Sequence, residues 1–115
     1  MNRKSLGDKG EKTSAKYLTN KGYNIIARNY RTRYGEIDII AKYKGILVFV
    51  EVKLRTNTKY GRGIEAITSH KIQKIHQVAV NYIQEHYDIE PECRFDVIEI
   101  LNSNEMEILH LENAF

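Results

Sequence analysis

The chain has no tryptophan, one cysteine, one proline, no internal repeat and no low-complexity segment. Each absence removes a class of answers. A single thiol, Cys93, cannot close an internal disulfide, so the fold must rest on packing, and this usage fits a reducing cytoplasm. No apolar run approaches the roughly 18 residues of a membrane-spanning helix, and the opening MNRKSLGDKGEK lacks the apolar core of a signal peptide. A cytoplasmic protein without a membrane partner is the expectation. The four histidines, His70, His76, His86 and His110, show no zinc-like spacing with cysteine or acid.

What is present is ordinary in amount and uneven in placement. At 115 residues, 42% hydrophobic and 29% charged, the chain is expected to form a single domain, residues 1–115, with one real core. Its net charge of +3 hides a gradient. Residues 1–35 carry nine Lys/Arg against two acids, residues 36–85 eight against five, and residues 86–115 one against eight. A basic first third suits a polyanion; a solvated surface without a partner is the plainer alternative.

Punctuation and periodicity divide the chain into seven elements. A first helix is expected from Ser5, as N-cap, to Lys21, with Gly22 as the stop. YNIIARNYR (23–31) is rich in β-branched and aromatic residues and reads as a strand. EIDIIAK and ILVFVEVKL follow as a hairpin turning at Lys44-Gly45. A glycine-containing loop leads to a second helix from about Ser69, with Ile72, Ile75, Ala79, Tyr82 and Ile83 on one face. His76 and His86 border that face and read as packing residues. CRFDVIEIL and MEILHLENAF form a second hairpin around Asn102-Ser103-Asn104. The order α-β-β-β-α-β-β predicts an α/β fold, a mixed sheet flanked by helices.

The stretch GEIDIIAKYKGILVFVEVKLR (35–55) is the unusual one. Ile46, Val48, Val50, Val52 and Leu54 form one face of its second strand; Leu47 and Phe49 begin the other, which Glu51 and Lys53 then continue. A strand apolar on both faces is normally central. Asp38, in phase with Glu36, is expected across the hairpin from Glu51, because cross-strand neighbours come within about 5 Å. Two carboxylates and an ammonium so gathered suit Mg2+, which takes hard oxygen ligands beside substrate phosphate. A simple cross-strand ion pair is the alternative. Glu11 falls on the sheet-facing side of the first helix with Ala15 and Leu18, and a buried carboxylate needs a partner: Lys53, a nearby arginine, or a metal. Gly7 and Gly10 flank it and allow close approach by a phosphate backbone or another chain element.

Glu11, Asp38 and Glu51-Val52-Lys53, in this element order, resemble the PD-(D/E)XK nuclease superfamily, with a restriction-endonuclease-like fold. Within it the arrangement is similar to the archaeal Holliday-junction resolvases, and more closely to the YraN family of bacterial proteins. GEK, GYNIIARNYR, GEIDIIAK, LVFVEVKLR, EAIT, RFDVIEI and ENAF carry that likeness across nearly the whole chain. The resemblance implies that Asp38 and Glu51 bind Mg2+ (or Mn2+) with the Val52 carbonyl, that Lys53 is the catalytic lysine, and that Glu11 is an auxiliary acid. Glu36 either joins Asp38 or binds an arginine such as Arg33. The implied activity is hydrolysis of DNA phosphodiesters, in branched or otherwise structured DNA, by a homodimer if opposite strands are cut.

Around this set, Arg31, Arg33, Lys59, Arg62 and Lys71 are the expected phosphate contacts, with Tyr34 and Tyr60 placed to stack on unpaired bases. Two other readings stay open. One is a nucleic-acid-binding protein with a nuclease fold and no turnover; the other is an interaction module using the acidic last third.

Overall fold

A computed structural model describes residues 3–55, 67–102 and 106–115. Helix α1 spans Arg3–Asn20. It begins before Ser5, so that residue lies inside the helix and is not its cap; Arg3 and Lys4 are good helix formers and extend it backwards. Its other end is where the glycine placed it. Gly22 has φ +97°, its N–H donates to the Thr19 carbonyl (3.0 Å), and Tyr23 N–H reaches back to Leu18 (3.0 Å). This pair of bonds closes a Schellman motif. Tyr23 and Leu18 are then buried in the same cluster, so the cap also feeds the core.

Strands β1 (Asn24–Thr32), β2 (Gly35–Tyr43) and β3 (Ile46–Arg55) form a meander. Helix α2 (Ser69–His86) starts after Thr68, whose hydroxyl accepts the Lys71 N–H. It carries the chain to β4 (Cys93–Asn102), which pairs parallel with β3, and β5 (Met106–Leu111) closes the second hairpin. The sheet order β1-β2-β3-β4-β5 makes β3 central, as its two apolar faces required. The β2–β3 turn falls at Lys44 (φ 50°) and Gly45 (φ 81°), the paired positive angles of a tight hairpin turn.

One core lies on each face of the sheet. Leu18 of α1 joins Ile39, Ala41, Val48, Val50, Ile98 and Ile100. On the other face Ile75, Val78, Ala79 and Tyr82 of α2 pack on Ile37, Ile40, Leu47 and Phe49. Val78 is the core residue that the expected apolar face of this helix omitted. His76 and His86 pack against aromatic rings as expected, His76 on Phe95 and His86 on Tyr82. In β1 a register irregularity between Ile25 and Ala27 turns Ile26 outward. Among the described residues no helix is long and apolar enough to cross a membrane.

The acidic last third is not all surface. Asp96 and Glu99 are buried in β4. Asp96 accepts two bonds from Arg94 (both 2.8 Å), one from the Asn113 amide (2.9 Å) and one from His110 Nε2 (2.7 Å). Arg94 also donates to Tyr23 (2.6 Å), and His110 Nδ1 lies 3.4 Å from the Tyr17 hydroxyl. The network ties the chain end and β5 to α1. Burial would raise the Asp96 carboxyl, but the bonds from His110 and Arg94 outweigh it and hold the group below its usual range.

An alanine Cβ at position 22 would meet only Tyr43 Cε1, at an ordinary 3.8 Å. The cost of Gly22→Ala therefore lies in the backbone, and we expect a loss of about 1–2 kcal/mol in urea unfolding at unchanged m-value. Undiminished stability would show that the glycine is not what terminates α1.

Candidate active site

The pairing of β2 with β3 runs from Tyr43↔Ile46 to Ile39↔Val50 and stops there. Beyond it Asp38 fills the fork: its Oδ2 accepts the Val52 N–H at 2.8 Å, a side chain standing where a ladder bond would have been. The hairpin thus delivers Asp38 beside Glu51, as its register predicts. Val52, expected to offer its carbonyl to a metal, meets Asp38 through its amide.

Helix α1 adds a third acid from above. Gly10 lies against β3, where a Cβ would sit 3.7 Å from Leu54 Cβ and Val52 Cγ1. The close approach that this glycine permits is therefore by the chain's own strand rather than by a phosphate. Glu11, the next residue, projects toward the fork, and one oxygen each from Glu11, Glu36 and Asp38 lie within 4.8 Å of one another. The Glu11 side chain is 13% exposed, with Arg28 Nη2 at 4.0 Å from its Oε2. That distance is an ion pair but not a hydrogen bond, and Glu11 Oε2 is buried with no hydrogen-bond partner.

Burial drives the Asp38 carboxyl upward, Glu51 adds to it and Glu11 and Glu36 contribute further, against the opposing Val52 N–H; the result is about 7. An acid surrounded by acids holds its proton until the solution is neutral.

Two lysines answer Glu51, which is itself buried. Lys71 Nζ stands 2.7 Å from its Oε1 and Lys53 Nζ 3.8 Å from the same atom. Burial lowers the Lys53 ammonium and the neighbouring Lys71 charge lowers it further. Burial also works against the Lys71 charge, but its hydrogen bond to Glu51 prevails and raises it. A cavity of about 370 Å3 opens over these groups, bounded by Glu36, Asp38, Glu51, Lys71 and Lys74.

The structure therefore gathers Glu11, Asp38, Glu51, Val52 and Lys53 as expected, and enlarges the set. Lys71, assigned from sequence to phosphate contact, is the nearer of the two lysine partners of Glu51. Its signal was visible as a cation in the first turn of a helix, against the macrodipole; the missing fact was that the first turn of α2 comes within reach of Glu51 at the fork. Glu36 stands with Asp38. Its arginine is Arg31, directly opposite in the β1–β2 register (3.4 Å), not Arg33. Arg33 instead donates to the Tyr34 hydroxyl (2.8 Å). Lys59, Tyr60 and Arg62 lie outside the described residues.

Residues 10–100 match the sequence model of the uncharacterised protein family UPF0102. The chain belongs to that family. It is the YraN family of the sequence resemblance. The UPF0102 protein of Alkaliphilus metalliredigens (strain QYMF) is 49% identical over 113 residues, covering 97% of this chain and 98% of the relative. That of Caldanaerobacter subterraneus subsp. tengcongensis is 44% identical over 119 residues, with 100% and 98% covered. That of Clostridioides difficile (strain 630) is 46% identical over the whole of both chains. The UPF0102 match takes in Glu11, Glu36, Asp38, Glu51, Lys53 and Lys71 alike.

The raised carboxyl makes a prediction with a fixed sign. Folded Asp38 keeps a proton up to about pH 7, whereas the unfolded chain releases it near its ordinary value of 3.8. Stability from this group is therefore fully present below pH 4 and lost as pH rises through 7. In chelator, Asp38→Asn should be more stable than wild type at pH 8, by at most about 4 kcal/mol, and should lose that advantage at pH 4. Asparagine keeps an acceptor for Val52, and Asp96 titrates alike in both proteins. An advantage equal at the two pH values would remove Asp38 from the centre of the repulsion.

Proposed function

We propose that this UPF0102 chain is a divalent-metal-dependent endonuclease of the PD-(D/E)XK type, acting on structured or branched DNA. The observation that carries this reading is the Glu11 oxygen, buried without a hydrogen bond, beside Glu36 and a protonatable Asp38. Three carboxylates held together in this way are costly alone and suited to a small hard cation. Glu11, Glu36 and Asp38 fit Mg2+ or Mn2+ as oxygen donors, with Glu51 available if Lys71 releases it. Bound there, the ion would supply Lewis-acid polarisation of a phosphodiester and a lowered pKa for a ligated water.

The chain's own groups do the rest. Asp38 holds one proton near neutrality and must lose it to bind metal, so metal affinity should rise with pH. Lys53, with its lowered pKa, is suited to trade a proton with water or with the departing oxygen. Lys71 and Lys74 line the cavity and offer positive charge to the phosphate oxygens. If opposite strands of a junction are cut, two copies of the chain are needed.

One observation favours the second reading, binding without turnover. Glu51 already has a lysine at 2.7 Å, so in the metal-free chain its charge is satisfied.

A native-state ligand raises stability, so Mg2+ or Mn2+ should raise the melting temperature of wild type and not of Asp38→Asn. Wild type should cleave members of a panel of branched, flapped and linear DNAs in either metal. Lys53→Ala, purified in parallel, should lose cleavage by at least about a hundredfold while binding the same DNAs, because affinity comes mainly from dispersed phosphate contacts. Salt-dependent binding without cleavage of any substrate would select the second reading.

A further inference from the structure

The turn between β1 and β2 presents an aromatic ring beside the candidate active site. Tyr34 N–H is bonded to Thr32 Oγ1 (3.0 Å), and Gly35 follows at φ +147°, a conformation that L side chains rarely adopt. A Cβ on Gly35 would sit 3.7 Å from Lys74 Cβ and Val78 Cγ2, so the turn is laid closely against α2. The ring is thus held by its own backbone while remaining 36% exposed. Arg33 stands with its guanidinium 5.0 Å from the ring centroid and donates to the hydroxyl.

The surroundings of this ring have one chemical character. Arg33 and Tyr34 share a cavity of about 290 Å3 with His70, Gln73, Lys74 and Gln77. That lining contains cations and amides and no carboxylate. His70 and Lys74 also line the cavity over Asp38 and Glu51, so the two spaces adjoin. Tyr34 is four residues from Asp38, at most about 14 Å of extended strand. On its far side Tyr34 borders a second hollow, lined by Arg31 and Arg33 and by Glu85, which accepts from Tyr30 (3.2 Å) and Asn81 (3.3 Å).

We propose that Tyr34 is a stacking platform for an unpaired DNA base next to the scissile phosphate, with Arg33 and Lys74 on the adjoining phosphates and Gln73 and Gln77 at the base edge. A paired base hides both faces in the helix and offers none to the ring, so the platform selects DNA with a frayed, flapped or junction-opened nucleotide. Amide side chains supply a donor and an acceptor each and tolerate any base, which gives preference for structure rather than sequence. This inference rests on the nuclease reading and names the feature of the substrate that the site selects.

The test places 2-aminopurine at the unpaired nucleotide of a flap and at the same position of a blunt duplex. Both are bound by Lys53→Ala in Mg2+, so that nothing is cut. The flap probe should be quenched on binding and the duplex probe should not. Tyr34→Ala, added to Lys53→Ala, should abolish the quench, and Tyr34→Phe should keep it. In the chain with Lys53 intact, Tyr34→Ala should lower the ratio of flap to blunt-duplex cleavage roughly tenfold or more, the loss of one stacked base. Lysine-dependent cleavage and flap binding with no Tyr34-dependent quench would overturn the platform and leave the nuclease reading standing. Absence of both binding and cleavage on every DNA would overturn that reading and the platform with it.

Discussion

Asp38 sits at the fork of the sheet with Glu11, Glu36 and Glu51 around it, and the Val52 N–H and the more distant Lys53 and Lys71 charges do not offset them; the rest of the site follows from that imbalance. The chain shows what it does with a buried carboxylate that serves structure alone. Asp96 takes both arms of an arginine, a histidine and an amide, and its carboxyl is held low. Asp38 lies in the same sheet, half-buried where Asp96 is fully buried, yet it is the Asp38 carboxyl that is pushed up, to about 7. The more buried acid is the one held low, so burial alone does not set the two shifts. The difference is the company each keeps: compensating donors for Asp96, further acids for Asp38.

Holding acids together requires that the scaffold be stable without them. The two apolar clusters lie on opposite faces of β2 and β3 and continue past the fork, through Ile37 on one face and through Ile98 and Ile100, the partners of Val52 and Leu54, on the other. The strands can then part, because the hydrogen bonds lost at the fork are partly recovered by the Asp38 side chain accepting from Val52. The Arg94–Asp96–His110 network, which fastens β5 and the chain end to α1, supports the same frame from the other side of β3.

How much of this was legible in the sequence depended on how local its cause was. Turn and cap chemistry is local, so Gly22 and Lys44-Gly45 fell where they were expected. The alternating faces of 46–54 fixed β3 as central, and hairpin register then placed Asp38 by Glu51. The start of α1 was misplaced because Ser5 carries a cap signal that the preceding Arg3 and Lys4 override. The pairing of Lys71 with Glu51 and the Asp96 network were not foreseen for a different reason. Glu51 is 20 residues from Lys71, and His110 and Tyr23 are 14 and 71 residues from their partners Asp96 and Arg94; only the parallel crossover through α2 and the closing of β5 bring them together. Glu36 was the intermediate case: period-two alternation put it with Asp38, while the choice of arginine depended on the β1–β2 register.

On the nuclease reading proposed above, the same geometry decides the side from which a phosphate would come. On the α1 face the fork is closed, since Gly10 brings the helix within van der Waals distance of Val52 and Leu54 and leaves Glu11 buried beneath it. On the α2 face it is open, and there the lining passes from Asp38 and Glu51 through Lys71 and Lys74 to Arg33 and Tyr34. Acids reach the fork chiefly from α1 and β2, cations from α2 and the end of β3. A polyanion would be repelled by the first group and drawn by the second, so that reading seats it on the α2 side, where Lys71 and Lys74 stand beside the carboxylates. On that nuclease reading, the carboxylates and lysines that line this one cavity would meet a single phosphodiester from the same side.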